Sequence, residues 1–187
     1  MFSDAIMAII MTILVLDLKI PAIQSGSNVH QYIIALAPLF PKIISFILSF
    51  IMIAIYWINH NNFFHYVEKV TIGFIWINTF WLLSLSFLPF PTSLLGAHPA
   101  DQFPIMLYGF NLLICACCFF LLRKYAGKHN LLAADCNQRE LLGPKQSLPA
   151  IILSLSAIIL SFASVYLSLL CFAVFPIIYL IPKGSKH

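Results

Sequence analysis

Apolar positions fall into six long runs broken by short polar interruptions. The runs cover roughly residues 2–20, 32–58, 70–90, 103–122, 148–162 and 165–181. A helix needs about 20 mostly apolar residues to cross about 30 Å of hydrocarbon. The pattern therefore predicts an all-α integral membrane protein, a single six-helix transmembrane domain over residues 1–187. The last two runs form one stretch too long for a single crossing, and a tight turn near residues 161–164 divides it. A five-helix version with one long tilted helix would move the C-terminus to the other side. Proline punctuates the pattern: Pro21 stops the first helix, Pro38 and Pro41 sit near the outer start of the second, and Pro89 and Pro91 end the third. Pro176 lies inside the sixth, where it is expected to kink the helix and free a carbonyl. No internal repeat is evident, so an inverted-repeat transporter is not suggested.

Composition narrows the solvent rather than the fold. Apolar residues make up 61% of the chain and charged residues 9%, with mean hydropathy +0.98. Soluble domains carry about a quarter of their residues charged, so this chain could not cover a water-facing surface. Residues 123–147, the longest polar stretch, are too short and too charged to bury a core. The formal charge of +4 points to the membrane and not to nucleic acid. Lys69, Arg123, Lys124, Lys128, Arg139, Lys145, Lys183 and Lys186 fall on one side of the six-helix map. Only Lys19 and Lys42, with Asp17 and Asp101, fall on the other. That asymmetry places both termini in the cytoplasm. No basic stretch precedes the first run and Ile20-Pro21 is not a small-residue cleavage site, so no cleavable signal peptide is expected.

Polar groups at helix depth are the candidates for chemistry. Ser3 and Asp4 open the first helix, where they suit its orphan N–H groups and its dipole. The second helix ends in Tyr56-Trp57-Ile58-Asn59-His60-Asn61-Asn62 on the same membrane side. Trp57 suits an interfacial anchor, and both Trp57 and His60 carry N–H donors fit for a carboxylate. An Asp4–Trp57–His60 network would lock helix one to helix two. Asn78 and Asn111 are expected to act as interhelical hydrogen-bonding glue. On helix one, Ala5, Ile9, Thr12 and Leu16 share a stripe at about 100° per residue, with Phe2, Ile13 and Ile20 nearby. Such a stripe suits packing against a neighbouring helix. In a symmetric oligomer the same residues would make stacked rings, with Ile9 gating by dewetting and Asp17 concentrating cations at the outer mouth.

Other patterns carry less. Thr71-Ile72-Gly73-Phe74 looks like a fragment of a potassium filter, but no pore helix precedes it and the final Gly is missing. His60 and His65 lie about 140° apart on a helix, without a carboxylate motif, and do not form a metal pair. Cys115, Cys117, Cys118 and Cys171 lie in apolar runs and Cys136 in the polar loop. Their spacing lacks the C-x-x-C and His partners of a zinc site, so core packing is expected. No phosphate loop, nucleophile–base pair or carboxylate dyad is present, which argues against an enzyme.

Phe2-Ser3-Asp4-Ala5-Ile6-Met7-Ala8-Ile9, followed by Thr12 and Leu16, resembles the first-helix signature of the transmembrane protein 175 family. That family contains the lysosomal potassium channel of animals and its bacterial and archaeal relatives. Tyr56-Trp57-Ile58-Asn59-His60-Asn61 resembles its helix-two motif, and Leu88-Pro89-Phe90-Pro91-Thr92 the end of its helix three. The resemblance implies a six-helix subunit without a P-loop, assembling as a homotetramer. It implies a pore lined by helix one, with a hydrophobic constriction at Ile9 and further pore-facing positions at Thr12 and Leu16. It assigns Ser3, Asp4, Trp57 and His60 to the network supporting that helix. The permeant ion would be potassium, with weaker selectivity than filter-type channels, and animal members also pass protons. One departure is that the Arg usually found a few residues before Phe-Ser-Asp has no counterpart in the sequence from Met1.

The sequence thus leads to a potassium-preferring cation channel in a prokaryotic plasma membrane, homotetrameric and without cofactor or nucleic-acid partner. The pore-flanking positions are Ala5, Ile13 and Asp17. The structural network is Phe2, Ser3, Asp4, Trp57, His60 and Asn78. Two other classes compete: a proton-coupled carrier using Asp4 and His60 as a relay, and a non-conducting structural membrane subunit.

Overall fold

A computed structural model describes residues 2–22, 26, 28–134, 142–143 and 148–180. Cys136, Arg139, Lys145, Lys183 and Lys186 lie outside the described residues, as does residue 181 of the sixth apolar run. The described residues are helical almost throughout. Helix α1 runs Phe2–Ile13 and tightens into a 3-10 turn, Leu14–Asp17. Helix α2, Val29–Leu36, leads through a 3-10 turn at Ala37–Leu39 into α3, Phe40–Phe64. Next come α4, Ile72–Ser86, α5, Pro89–Ala97, and α6, Gln102–Lys128. Helices α7, Leu148–Ser161, and α8, Val165–Leu180, close the fold.

Local chemistry explains most of the ends. Asn28 caps α2 reciprocally with Gln31, through two hydrogen bonds of 2.9 Å, which satisfies two orphan donors at once. The Thr71 hydroxyl oxygen accepts from Phe74 N at 3.3 Å and opens α4. Pro41 and Pro89 lie in the first turns of α3 and α5, where a missing N–H is harmless. Asn130, with φ 51°, follows the end of α6 in the left-handed region that terminates helices. Between α7 and α8 the chain turns at residues 162–164, held by Ser164 N to Leu160 O at 2.8 Å.

Among the described residues, three helical stretches are long and apolar enough to cross a membrane: Val29–Phe64, Ile72–Ala97 and Gln102–Lys128. Two shorter apolar helices follow, at Leu148–Ser161 and Val165–Val174. The boundaries differ from the hydropathy pattern in informative ways. The second stretch begins at Val29, because Pro38 is absorbed by a 3-10 turn that lets the helix axis continue. The third does not stop at residue 90. After a turn at residues 87–88 it resumes as α5, because Pro89 suits a helix start.

Helix α6 is the hub, packed on α4, α5, α7 and α8. Helix α1 lies on α3 and α4, and its 3-10 turn reaches α3 and α5. The core between them holds Trp81, Tyr108, Phe63, Phe74 and Phe172. On the side carrying the end of α6, Val67 and Leu132 form an antiparallel bridge. Glu68 N and Lys69 N both donate to Leu131 O there, tying the α3–α4 connection to the segment after α6.

Candidate functional site

Helix α1 has two unlike faces. Ser3, Met7, Ile10 and Leu14 are buried, at intervals of three to four residues that mark one side of a helix. The other side leaves Phe2, Ala5, Ile9, Thr12, Ile13 and Leu16 exposed; Ile9 is 55% and Leu16 71% accessible. An apolar stripe this open, on a helix whose back is packed into the core, is left largely uncovered by the described residues. Thr12 Oγ1 donates to Ile9 O at 2.8 Å. Its one proton is thereby spent, and the hydroxyl offers only acceptor lone pairs outward. Beside the stripe runs an apolar groove of about 330 Å³, with Ile9 and Ile13 on one wall and Phe87, Pro89 and Phe90 on the other. Ile20 is exposed as well, beyond the helix end.

The N-terminal end of α1 is held by two hydrogen-bonded branches. In the first, Trp57 Nε1 donates to Asp4 Oδ1 at 3.0 Å. The Asn61 amide joins this branch, oriented to donate to Asp4 Oδ1 at 2.9 Å and accept from Trp57 Nε1 at 2.7 Å. In the second, Asn78 Nδ2 donates to Ser3 Oγ at 3.0 Å, and His60 Nε2 lies 3.1 Å from Asn78 Oδ1. Since Asn78 presents its oxygen, His60 must carry its proton on Nε2. Nδ1 has no hydrogen-bond partner among the described residues. The imidazole is buried between aromatic faces, 4.7 Å from Trp81 at 2° and 3.9 Å from Phe64 at 24°.

The sequence expectation joined Asp4, Trp57 and His60 in one network. The structure brings Asp4 to Trp57 but sends His60 to Asn78, because residue 60 lies about 60° round the helix from residue 57, on the side facing α4. Asn61, one turn after Trp57, faces α1 instead. That i, i+4 spacing was the signal that could have identified it. Phe2 is 69% exposed and takes no part in either branch.

The C-terminal end of α1 is tied differently. Asp17 Oδ1 accepts from Ser93 Oγ of α5 at 2.7 Å. Helix α5 is itself bolted in place by a hydroxyl chain. Thr92 Oγ1 donates to Leu88 O at 2.8 Å and lies 2.7 Å from Ser49 Oγ. Ser49 Oγ also donates to Tyr108 OH at 3.2 Å. Nothing in the sequence signalled Ser93 or this chain, since serines in apolar helices usually bond their own backbone. Asn111 Nδ2 donates to Ser84 O at 3.0 Å, joining α6 to α4. Among the described residues no group of three His, Cys, Asp or Glu side chains is placed to hold a metal ion.

Comparison with known proteins follows the same residues. The family model of the endosomal/lysosomal potassium channel TMEM175 matches residues 1–89. A potassium channel of Chamaesiphon minutus is 34% identical over 165 residues, covering 82% of this chain and 81% of that protein. A potassium channel of a Chryseobacterium species is 37% identical over 123 residues, covering 66% of this chain but only 60% of that protein's length. Among solved structures, a lysosomal potassium-selective channel TMEM175 homolog from Chamaesiphon minutus superposes with TM-score 0.81 at 30% identity, over 98% of this chain and 95% of that one. These relatives are described as channels, not enzymes.

Proposed function

The chain belongs to the TMEM175 family, and we propose from that membership and from the two faces of α1 that it is a potassium-preferring cation channel. Four copies would assemble around an axis, each contributing six membrane-crossing helices and placing α1 at the centre. No P-loop is needed in this arrangement. The permeation path would be lined by Ala5, Ile9, Thr12, Ile13 and Leu16, with the Ile9 ring as a hydrophobic constriction. The observation that carries the reading is the exposed stripe on α1. Its isoleucines and leucine stay accessible while Met7, Ile10 and Leu14 behind them are buried. In a symmetric assembly that stripe becomes a set of apolar rings, which conduct or block according to whether they wet. One turn outward, the Thr12 lone pairs are the right chemistry for a partly dehydrated cation. The proposed location is a prokaryotic plasma membrane, with both termini cytoplasmic.

The carrier reading needs a proton path between Asp4 and His60. The hydrogen bonds give His60 to Asn78 and Asp4 to Trp57 and Asn61, which favours a supporting role for both.

Single-channel recording from purified protein in planar bilayers tests the proposal. Under a potassium/sodium gradient, wild type is expected to give unitary steps favouring potassium. Ile9→Asn is expected to raise conductance several-fold and lower the preference, since a polar ring no longer dewets. Folded protein of either kind that gives no unitary current would refute the channel reading.

A further inference from the structure

We propose that Ser93 is a positioning residue for permeation: its hydroxyl holds the Asp17 carboxylate at the outer end of α1 so that the charge faces entering cations. The inference rests on the channel reading above. Asp17 closes the 3-10 turn Leu14–Asp17, and Leu18 leaves helical geometry at φ −78°, ψ 70°. A carboxylate there opposes the helix's own dipole, whose C-terminal end is negative. Among the described residues no Lys or Arg forms an ion pair with it, so the unfavourable placement is relieved by a hydroxyl alone. A chain selected for stability would place a cation or an amide at this point. A carboxylate kept here and given a donor fits a role toward something positive that arrives from outside.

Ser93 departs from its neighbours in the way that role requires. Ser84, Ser86 and Thr92 each donate to a carbonyl three or four residues back, at 2.7, 2.9 and 2.8 Å. Ser93 sends its single proton across 76 residues of sequence to Asp17 Oδ1. Its backbone does not yield, because Thr92 beside it is clamped by Ser49. A Cβ on Gly96, one turn later, would lie 2.9 Å from Lys42 Cα, so α5 sits flush on α3. One carboxylate oxygen is thus fixed, on a half-buried residue that follows Leu16 of the exposed stripe in sequence. Four such groups around an axis would raise the local potassium concentration where ions enter.

Current through wild type, Ser93→Ala, Ser93→Thr and Asp17→Asn, measured at two potassium chloride concentrations, separates this role from simple pinning of a helix. At about 10 mM the screening length is about 30 Å, and at about 1 M it is about 3 Å. Inward current at the lower salt is expected to fall about two- to threefold in Ser93→Ala and in Asp17→Asn, and the variants are expected to converge on wild type at the higher salt. Ser93→Thr, which keeps the hydroxyl, is expected to return the low-salt current. A loss in Ser93→Ala that is equal at both salts would mean a structural pin only and would overturn the inference. So would unchanged low-salt current in Ser93→Ala while Asp17→Asn falls, or a Ser93→Thr variant that behaves like the alanine one. Both of these outcomes leave the channel reading standing. Absence of current from wild type removes that reading, and this inference with it.

Discussion

Asn78 donates to Ser3 with its amide nitrogen, and that one choice dictates the tautomer of His60 and joins three helices. Interhelical hydrogen bonds within membranes contribute about 0.6 kcal/mol on average and about 1.7 at most. Replacing Asn78 with Leu breaks two of them, so a destabilisation of about 1–3 kcal/mol is expected, read as a lowered Tm in detergent. His60→Phe should cost less than His60→Ala, because Phe keeps the stack between Trp81 and Phe64 while Ala opens a cavity in a fully packed site. The opposite order would mean that the imidazole nitrogen, not the aromatic sandwich, sets the stability. At this scale the sequence was partly legible. Asp4 and Trp57 stood out as polar groups at one membrane depth, and they meet. Asn78 stood out too, but its pairing with His60 did not, because that depends on the azimuth of two helices about their axes, which depth along the membrane does not determine.

Helix α5 shows how an element can be misread from sound local rules. Pro89 and Pro91 read as stop signals after an apolar run, yet Pro89 opens a new helix that folds down onto α3 and α6. A proline is equally at home just past one helix and in the first turn of the next, and only the packing beyond it distinguishes the two. The two glycines of this region separate close backbone approach from ordinary crowding. A Cβ at Gly96 would sit 2.6 Å from Ser45 Oγ and 2.9 Å from Lys42 Cα, and that backbone cannot step aside. At Gly109 the obstacles are the side-chain atoms Ile158 Cγ1 at 2.9 Å and Phe172 Cζ at 3.1 Å. Gly96→Ala is therefore expected to lower stability by about 1–3 kcal/mol. In Gly109→Ala the gain of about 1 kcal/mol in helix propensity offsets much of the strain. Thermal unfolding of the two variants side by side checks the order.

For the whole molecule, the hydropathy pattern and charge asymmetry lead to a topology that labelling can read directly. In a cysteine-free background, Lys128→Cys is expected to react with an impermeant maleimide only from the cytoplasmic face, and Asp101→Cys only from outside, since α6 runs between them. Reaction of both from one face would reverse the map. Oxidation of Ile9→Cys in the same background is expected to link neighbouring copies. In the proposed tetramer the Ile9 ring would bring Cα atoms toward the roughly 4–7 Å that a disulfide needs, whereas Phe80→Cys, exposed on α4, should stay unlinked. What could not be read from the sequence at this scale is how α1 is suspended, and that has a consequence for biosynthesis. Helix α1 leaves the ribosome before α3 and α4, and Trp57 follows Asp4 by 53 residues and Asn78 follows Ser3 by 75. At about 5–20 residues per second, α1 waits about 4–15 s for Asn78, the last partner of its N-terminal end. During that interval the newborn helix has no fixed rotation, so subunits should acquire the ability to recognise one another only after α4 has been inserted. Assembly would then be post-translational, by finished subunits meeting in the bilayer, rather than between neighbouring chains still being made.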